Sequence, residues 1–140
     1  MNSRHFPIRS LVMLALATSC AGVHARPDFE GVTAIVATSA SGGSSVRADD
    51  PKGVLILMDE VNAERRRQWL PFRGKLGTCA VRLTLYKGDS RVARLVLDDE
   101  RFIEFASASD TTGYSREVAR GELKGVRRLA AKVAPSLCPK

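Results

Sequence analysis

The clearest alternation of apolar and polar residues lies in the middle of the chain and predicts a β-hairpin. Residues 79–86 and 92–98 each place apolar side chains at every second position, which is the period of a β-strand. A loop over residues 88–90 keeps the apolar residues of both strands on one face of the sheet. It does so through three cross-strand pairs, namely Leu85 with Ala93, Leu83 with Leu95 and Val81 with Leu97.

The same rule extends the predicted hairpin by a third strand. A turn at residues 99–101 joins the two strands and gives two further apolar pairs, Leu97 with Ile103 and Leu95 with Phe105. This register places Glu104 on the opposite face, near Arg82 and Arg94. We therefore expect a three-stranded antiparallel meander whose second face carries a ladder of opposite charges.

Two more strands are predicted in the first half of the chain. Residues 31–38 are rich in β-branched side chains, which favour strands. The continuous apolar run at residues 54–58 predicts a central strand that is buried on both faces. Residues 39–52 between these strands are rich in serine, glycine and aspartate and are expected to form a mobile loop. Asn62 is the predicted cap of a short helix that ends at Leu70.

The last third of the chain changes to a helical period. Ser115 can cap a helix that ends near Ala134, because Pro135 stops it. Apolar residues recur every three or four positions along this segment and form a predicted buried stripe of Ala119, Leu123, Val126, Ala130 and Val133. The predicted fold is therefore α+β, with a single antiparallel sheet of about five strands, a short helix after strand 2, and a long C-terminal helix packed on one face.

The first 25 residues have the three parts of a secretory signal peptide. Arg4 and Arg9 precede a short apolar run at residues 11–17, and Ala25 ends a small-residue cleavage site. The run is too short to span a membrane. We expect residues 1–25 to be cleaved and residues 26–140 to form one domain, exported to the periplasm or secreted. An alternative is a lipoprotein that is tethered to the membrane through Cys20.

Cleavage after Ala25 limits the chemistry that the domain can perform. The full chain has 140 residues, with 22 Lys+Arg, 15 Asp+Glu and two histidines. Removing 25 of the 140 residues leaves 115, and it removes two arginines and both histidines, so 20 basic against 15 acidic residues give a net charge of +5. A domain without histidine has no Ser–His–Asp or Cys–His mechanism and no histidine-ligated zinc site.

Two cysteines remain in the predicted mature domain. An even pair in an exported chain predicts a disulfide, here between Cys79 and Cys138. The closed loop spans 59 residues, and the chain-entropy relation gives about 4 kcal/mol of stabilisation for a loop of that size. The acidic pairs along the chain lack the ligand spacing of a calcium-binding loop. No catalytic residue, cofactor or metal is therefore predicted.

Basic residues are the remaining candidates for function. One series occurs every fourth position on the predicted C-terminal helix, at Arg116, Arg120, Lys124, Arg128 and Lys132. A second group consists of Arg65, Arg66, Arg67 and Trp69. Like charges at helical spacing repel, so a functional interpretation is a surface for an anionic partner. The alternatives are a solvated helix face and, for the tryptophan, packing beneath the short helix.

These features predict an exported, non-catalytic protein of the bacterial envelope. It would bind a protein partner with an acidic surface, as an inhibitor, an immunity-type protein or an assembly accessory. The alternative is a binder of anionic lipid or lipopolysaccharide at the membrane surface. An enzyme would have to rely on Asp, Glu, Lys, Ser or Tyr alone. Nucleic acid is not an expected partner of an exported protein, and the oligomeric state is not predicted.

Overall fold

A single antiparallel sheet with two helices on one face forms the domain. The computed structural model describes Arg26, residues 28–105, residues 112–136 and Cys138. In these residues seven strands form one sheet with the order β2-β1-β4-β5-β6-β7-β3. The elements are β1 (Ala34–Ser39), β2 (Ser45–Ala48), α1 (Pro51–Arg65), β3 (Leu70–Arg73), β4 (Val81–Lys87), β5 (Ser90–Asp98), β6 (Arg101–Phe105), β7 (Thr112–Glu117) and α2 (Lys124–Ala131).

The predicted fold class is wrong in its strand count and in its helices. The sheet has seven strands instead of about five, and the described C-terminal part holds a helix of only eight residues. Strand β2 lies inside the segment that was expected to be a loop. Ser115 lies in β7, where it pairs with Leu70 and Ile103. Pairing with strands on both sides outweighs the weak helical period of this glycine-, serine- and tyrosine-containing segment.

The apolar run at residues 54–58 is helical, so the predicted central strand is wrong. Asp50 caps α1, because its side chain accepts a hydrogen bond from the Gly53 N–H at 2.7 Å, and Pro51 occupies the first helical position. Asn62, the predicted cap, lies inside the last turn of α1. Helical spacing buries one side of α1, through Val54, Leu57, Met58, Val61 and Glu64.

The β4–β5 register is confirmed, whereas the β5–β6 register is wrong by one residue. Leu85 pairs with Ala93, Leu83 with Leu95 and Val81 with Leu97, as predicted. The predicted loop over residues 88–90 is one residue too long, because Ser90 pairs with Lys87 and a bulge in β4 makes up the difference. Strand β6 follows a turn of only two residues, Asp99 and Glu100, so that Leu95 pairs with Glu104. A slip of one residue moves every side chain of a strand to the other face. Glu104 therefore faces the helices.

Both faces of the sheet bury apolar side chains. The larger cluster lies under α1 and α2 and includes Leu83, Leu95 and Phe102. The smaller cluster lies on the helix-free face and consists of Phe72, Ala80, Val96, Ile103 and Phe105, with Leu76 and Ala40 packed against it. Leu76 belongs to the connection from β3 to β4, residues 74–80, which therefore covers part of that face. The rest of the helix-free face, over β2, β1, β4 and β5, carries mainly polar side chains, with Ala34 and Val36 between them.

The predicted disulfide is confirmed. Cys79 and Cys138 are bonded, with their Cα atoms 5.6 Å apart. The bond fastens the chain beyond α2 to the residue that precedes Ala80 and strand β4. A disulfide is compatible with export. No helix in the described part of the chain is long and apolar enough to cross a membrane. The predicted signal peptide, residues 1–25, and the alternative lipidation site, Cys20, lie outside the described residues.

Candidate functional site

The structure separates the basic series that was expected on one helix. Arg116 lies in β7, and its Nε donates to Glu64 Oε2 at 2.7 Å. Arg120 lies in the turn after β7, and its Nε donates to Glu100 Oε1 at 3.0 Å. Arg116 is therefore bound within the domain, whereas Arg120 forms an exposed pair at the surface. Three exposed residues of the series stay together on α2 and at its end, Lys124, Arg128 and Lys132.

The group around Trp69 is also divided by its contacts. Arg65 binds the buried Glu104 through Nε and Nη2, both at 3.1 Å. Arg67 Nη1 donates to Glu122 Oε1 at 2.9 Å, and Arg66 is exposed. The Trp69 indole donates to the Glu64 carbonyl at 2.8 Å and its ring packs 5.7 Å from that of Phe102. Trp69 is therefore held inside the fold on its helix-covered side.

Two buried carboxylates lie among these basic side chains. Glu64 is 4% exposed and Glu104 is 2% exposed. Burial of an isolated carboxylate is unfavourable, and each of these is paired with arginine, Glu64 with Arg116 and Glu104 with both Arg26 and Arg65. Their positions suit a structural network. In the described ranges, no group of three or more His, Cys, Asp or Glu side chains is placed to hold a metal ion.

The helix-free face presents a second set of arginines, which we call the arginine face. It consists of Arg47 on β2, Arg82 on β4, and Arg91 and Arg94 on β5. The register aligns Arg47, Val36, Thr84 and Arg94 in one row across four strands. The adjoining rows are Ser45, Thr38, Arg82 and Val96 on one side, and Ala34, Tyr86 and Arg91 on the other. These rows contain no acidic residue.

Exposure and stacking make part of the arginine face accessible. Arg47 and Arg91 are exposed, whereas Arg82 and Arg94 are half-buried. The Arg47 guanidinium lies 5.8 Å from the centre of the Tyr86 ring. It also pairs with Asp49 at 3.1 Å, through side chains that are 50% and 65% exposed. An ion pair so exposed contributes about 1 kcal/mol or less. Arg47 can therefore exchange Asp49 for an anionic group of a partner.

Sequence reasoning missed the arginine face for two structural reasons. The composition of residues 39–52 predicts a loop around Arg47, where the structure has β2. Glu104 was expected beside Arg82 and Arg94, and the one-residue slip in β6 removes it from this face. A bulge between Leu85 and Tyr86 then sets Arg91 opposite Tyr86. The available signal was the pair of arginines at polar positions of an otherwise apolar hairpin.

No protein-family model, curated protein or solved structure matches this chain.

Proposed function

We propose that this chain is an exported, non-catalytic protein of the bacterial envelope that binds an acidic protein. The arginine face carries the proposal, because it gathers Arg47, Arg82, Arg91 and Arg94 on one helix-free sheet face, where Arg47 and Arg91 are exposed. The disulfide and the signal-like N-terminal sequence support export. An inhibitor, an immunity-type protein and an assembly accessory would all use such a surface.

The chemistry of arginine favours a carboxylate-bearing partner. The planar guanidinium binds a carboxylate through two parallel hydrogen bonds, and arginine and tyrosine are enriched at protein interfaces. Strands lie about 4.8 Å apart, so the row from Arg47 to Arg94 spans about 14 Å. Hydrogen bonds between four strands keep this row rigid. A broad, rigid and positive face suits the acidic surface of a folded protein.

The test compares two variants with the same change in charge. Arg47→Glu with Arg91→Glu reverses the exposed part of the arginine face, and Lys124→Glu with Arg128→Glu reverses exposed residues of α2. Each tagged mature protein is purified from the native cell envelope at low salt, and the protein that co-elutes near one-to-one is identified. Its dissociation constant is then measured with purified components. We expect at least tenfold weaker binding, about 1.4 kcal/mol, for the arginine-face variant alone.

The outcomes separate the competing functions. Binding should weaken as salt rises, because exposed charges are screened over about 10 Å at 0.1 M. Equal affinity of both variants, or loss in the α2 variant alone, would refute the arginine face as the docking surface. Co-elution of lipid or lipopolysaccharide without a protein would replace the proposal with the lipid-binding alternative. Turnover in a screen of cell-wall and ester substrates would refute a non-catalytic role.

A further inference from the structure

Three separate parts of the fold surround the side chain of Arg26: strand β6, the end of helix α1, and the connection from α1 to β3. Its Nε and Nη2 donate to Glu104 Oε2 at 3.2 and 2.5 Å, and its Nη1 donates to the Arg65 carbonyl at 3.0 Å. Its guanidinium lies 4.7 Å from the centre of the Trp69 ring. The surroundings thus supply a carboxylate, a carbonyl and an aromatic face. Guanidinium groups bind to all three.

Each of these groups is held in place by contacts other than those with Arg26. Glu104 is buried on β6 and also binds Arg65. The Arg65 carbonyl belongs to the last residue of α1, where helix carbonyls lack intrahelical partners and the helix dipole is negative. Trp69 is fixed by its bond to the Glu64 carbonyl and by Phe102. The site is therefore formed before a guanidinium enters it.

Arg26 can leave this site without exposing a lone buried charge. Arg65 keeps two hydrogen bonds to Glu104, and its own guanidinium lies 3.6 Å from the centre of the Phe29 ring. Glu104 consequently stays paired when Arg26 is absent, so the large cost of an unpaired buried charge does not arise. The Arg26 side chain is itself 32% exposed. It behaves as an exchangeable ligand more than as part of the core.

We propose that these groups form a guanidinium-binding site and that its natural occupant is the first residue of the mature chain. Arg26 directly follows Ala25, the predicted cleavage point. Phe29, three residues later, is buried in the main core. Binding of Arg26 therefore fastens the new N-terminus next to the point where the chain enters the fold. This inference uses residues that are separate from the arginine face.

The test supplies the guanidinium in trans. Arg26→Ala removes the occupant from the mature protein, and L-argininamide is added as the probe. L-lysinamide is the control, because it has the same charge but no planar guanidinium group. A linked group has an effective concentration in the millimolar range, so the probe is used at about 10 mM or above. We expect Arg26→Ala to lower Tm by about 4 °C, and argininamide, but not lysinamide, to restore most of it.

A second readout does not depend on stability. Trp69 is the only tryptophan of the chain, so its fluorescence reports occupation of the site directly. Argininamide should give a saturable change with Arg26→Ala and little change with the wild type, whose site is filled. Arg26→Lys supplies a second background should Arg26→Ala fail to fold. Equal responses to both amides, equal responses of variant and wild type, or no response would overturn the proposal. Because no partner takes part, these outcomes leave the proposed function untouched.

Discussion

We expect Glu60→Ala to destabilise the domain by about 2 kcal/mol, because the Glu60 carboxylate of α1 caps α2. Leu123, which precedes α2, has a φ of 54° and provides no side-chain cap. Glu60 instead accepts the N–H groups of Gly125 and Val126, at 2.9 and 3.0 Å. These are the second and third helical residues, whose N–H groups an N-cap side chain would otherwise bind.

The magnitude follows from the number and charge of these bonds. Loss of an N-cap side chain costs about 0.5–2 kcal/mol, and a hydrogen bond to a charged group contributes about 1.5–3 kcal/mol. Glu60 is half-buried, so water replaces part of the loss, and about 2 kcal/mol remains. For a domain of about 115 residues this lowers Tm by about 8 °C. Glu60→Gln keeps one acceptor oxygen and should lose about half as much.

Urea unfolding followed by circular dichroism measures the effect, and the neighbouring residue supplies the control. Asp59 is exposed, and its side chain makes no hydrogen bond or ion pair with any described residue. Asp59→Ala should therefore change the free energy of unfolding by less than about 0.5 kcal/mol. If Glu60→Ala falls within the same limit at an unchanged denaturant slope, capping between the two helices is not a source of stability and the reasoning is refuted.

Three further predictions concern other parts of the fold. Cys79→Ala with Cys138→Ala opens the 59-residue loop and should cost about 4 kcal/mol, or about 17 °C in Tm; a loss below about 1 kcal/mol in urea unfolding would contradict this. Gly113→Ala would place a Cβ 2.2 Å from the Glu104 carbonyl oxygen and should abolish cooperative thermal unfolding, whereas Gly121→Ala, with open space around it, should melt like the wild type. The Ala119 N–H, which donates to the Glu122 carboxylate, lowers the pKa of Glu122 most; burial opposes this, and the charges of Arg67 and Arg116 lower the pKa to a smaller extent. Ionised Glu122 therefore stabilises the fold above its unfolded-state pKa, and this stabilisation disappears as pH falls through its folded-state pKa. Glu122→Gln should be less stable than the wild type at neutral pH and equally stable at acid pH.

The sequence predicts the three apolar pairs of the β4–β5 hairpin because one face of both strands is uniformly apolar. The turn differs from the predicted three-residue loop, because Gly88 and Asp89 form a two-residue turn between the paired Lys87 and Ser90. The bulge between Leu85 and Tyr86 then keeps Leu83 opposite Leu95 instead of Arg94. Strand β6 has no single apolar face that could fix its register, because Phe102 and Ile103 are adjacent and both are buried. An alternation rule cannot choose between two apolar faces. The choice depends on the 74–80 connection, which is distant in sequence from β6.

The errors in the helices have a related origin. Leu55 and Ile56 are 63% and 52% exposed, so α1 is apolar on its outer side as well, and its sequence has no clear helical stripe. Asp50 and Pro51 are a cap and a first residue typical of a helix start, but they lie in a segment whose composition predicts a loop. Strand β7 has the opposite character, with polar side chains that gain their stability from pairing with β6 and β3. Local pattern is weak evidence wherever tertiary contacts supply the deciding energy.

The β5–β6 register connects the two proposals of function and site. With the predicted turn of three residues, Glu104 would lie beside Arg82 and Arg94 and would give the open sheet face a mixed charge. With the observed turn of two residues, Glu104 pairs with Leu95 and its carboxylate lies under the helices, where Arg26 and Arg65 bind it. One residue of register thus keeps Glu104 away from the arginine face and, at the same time, supplies the buried anion of the guanidinium-binding site.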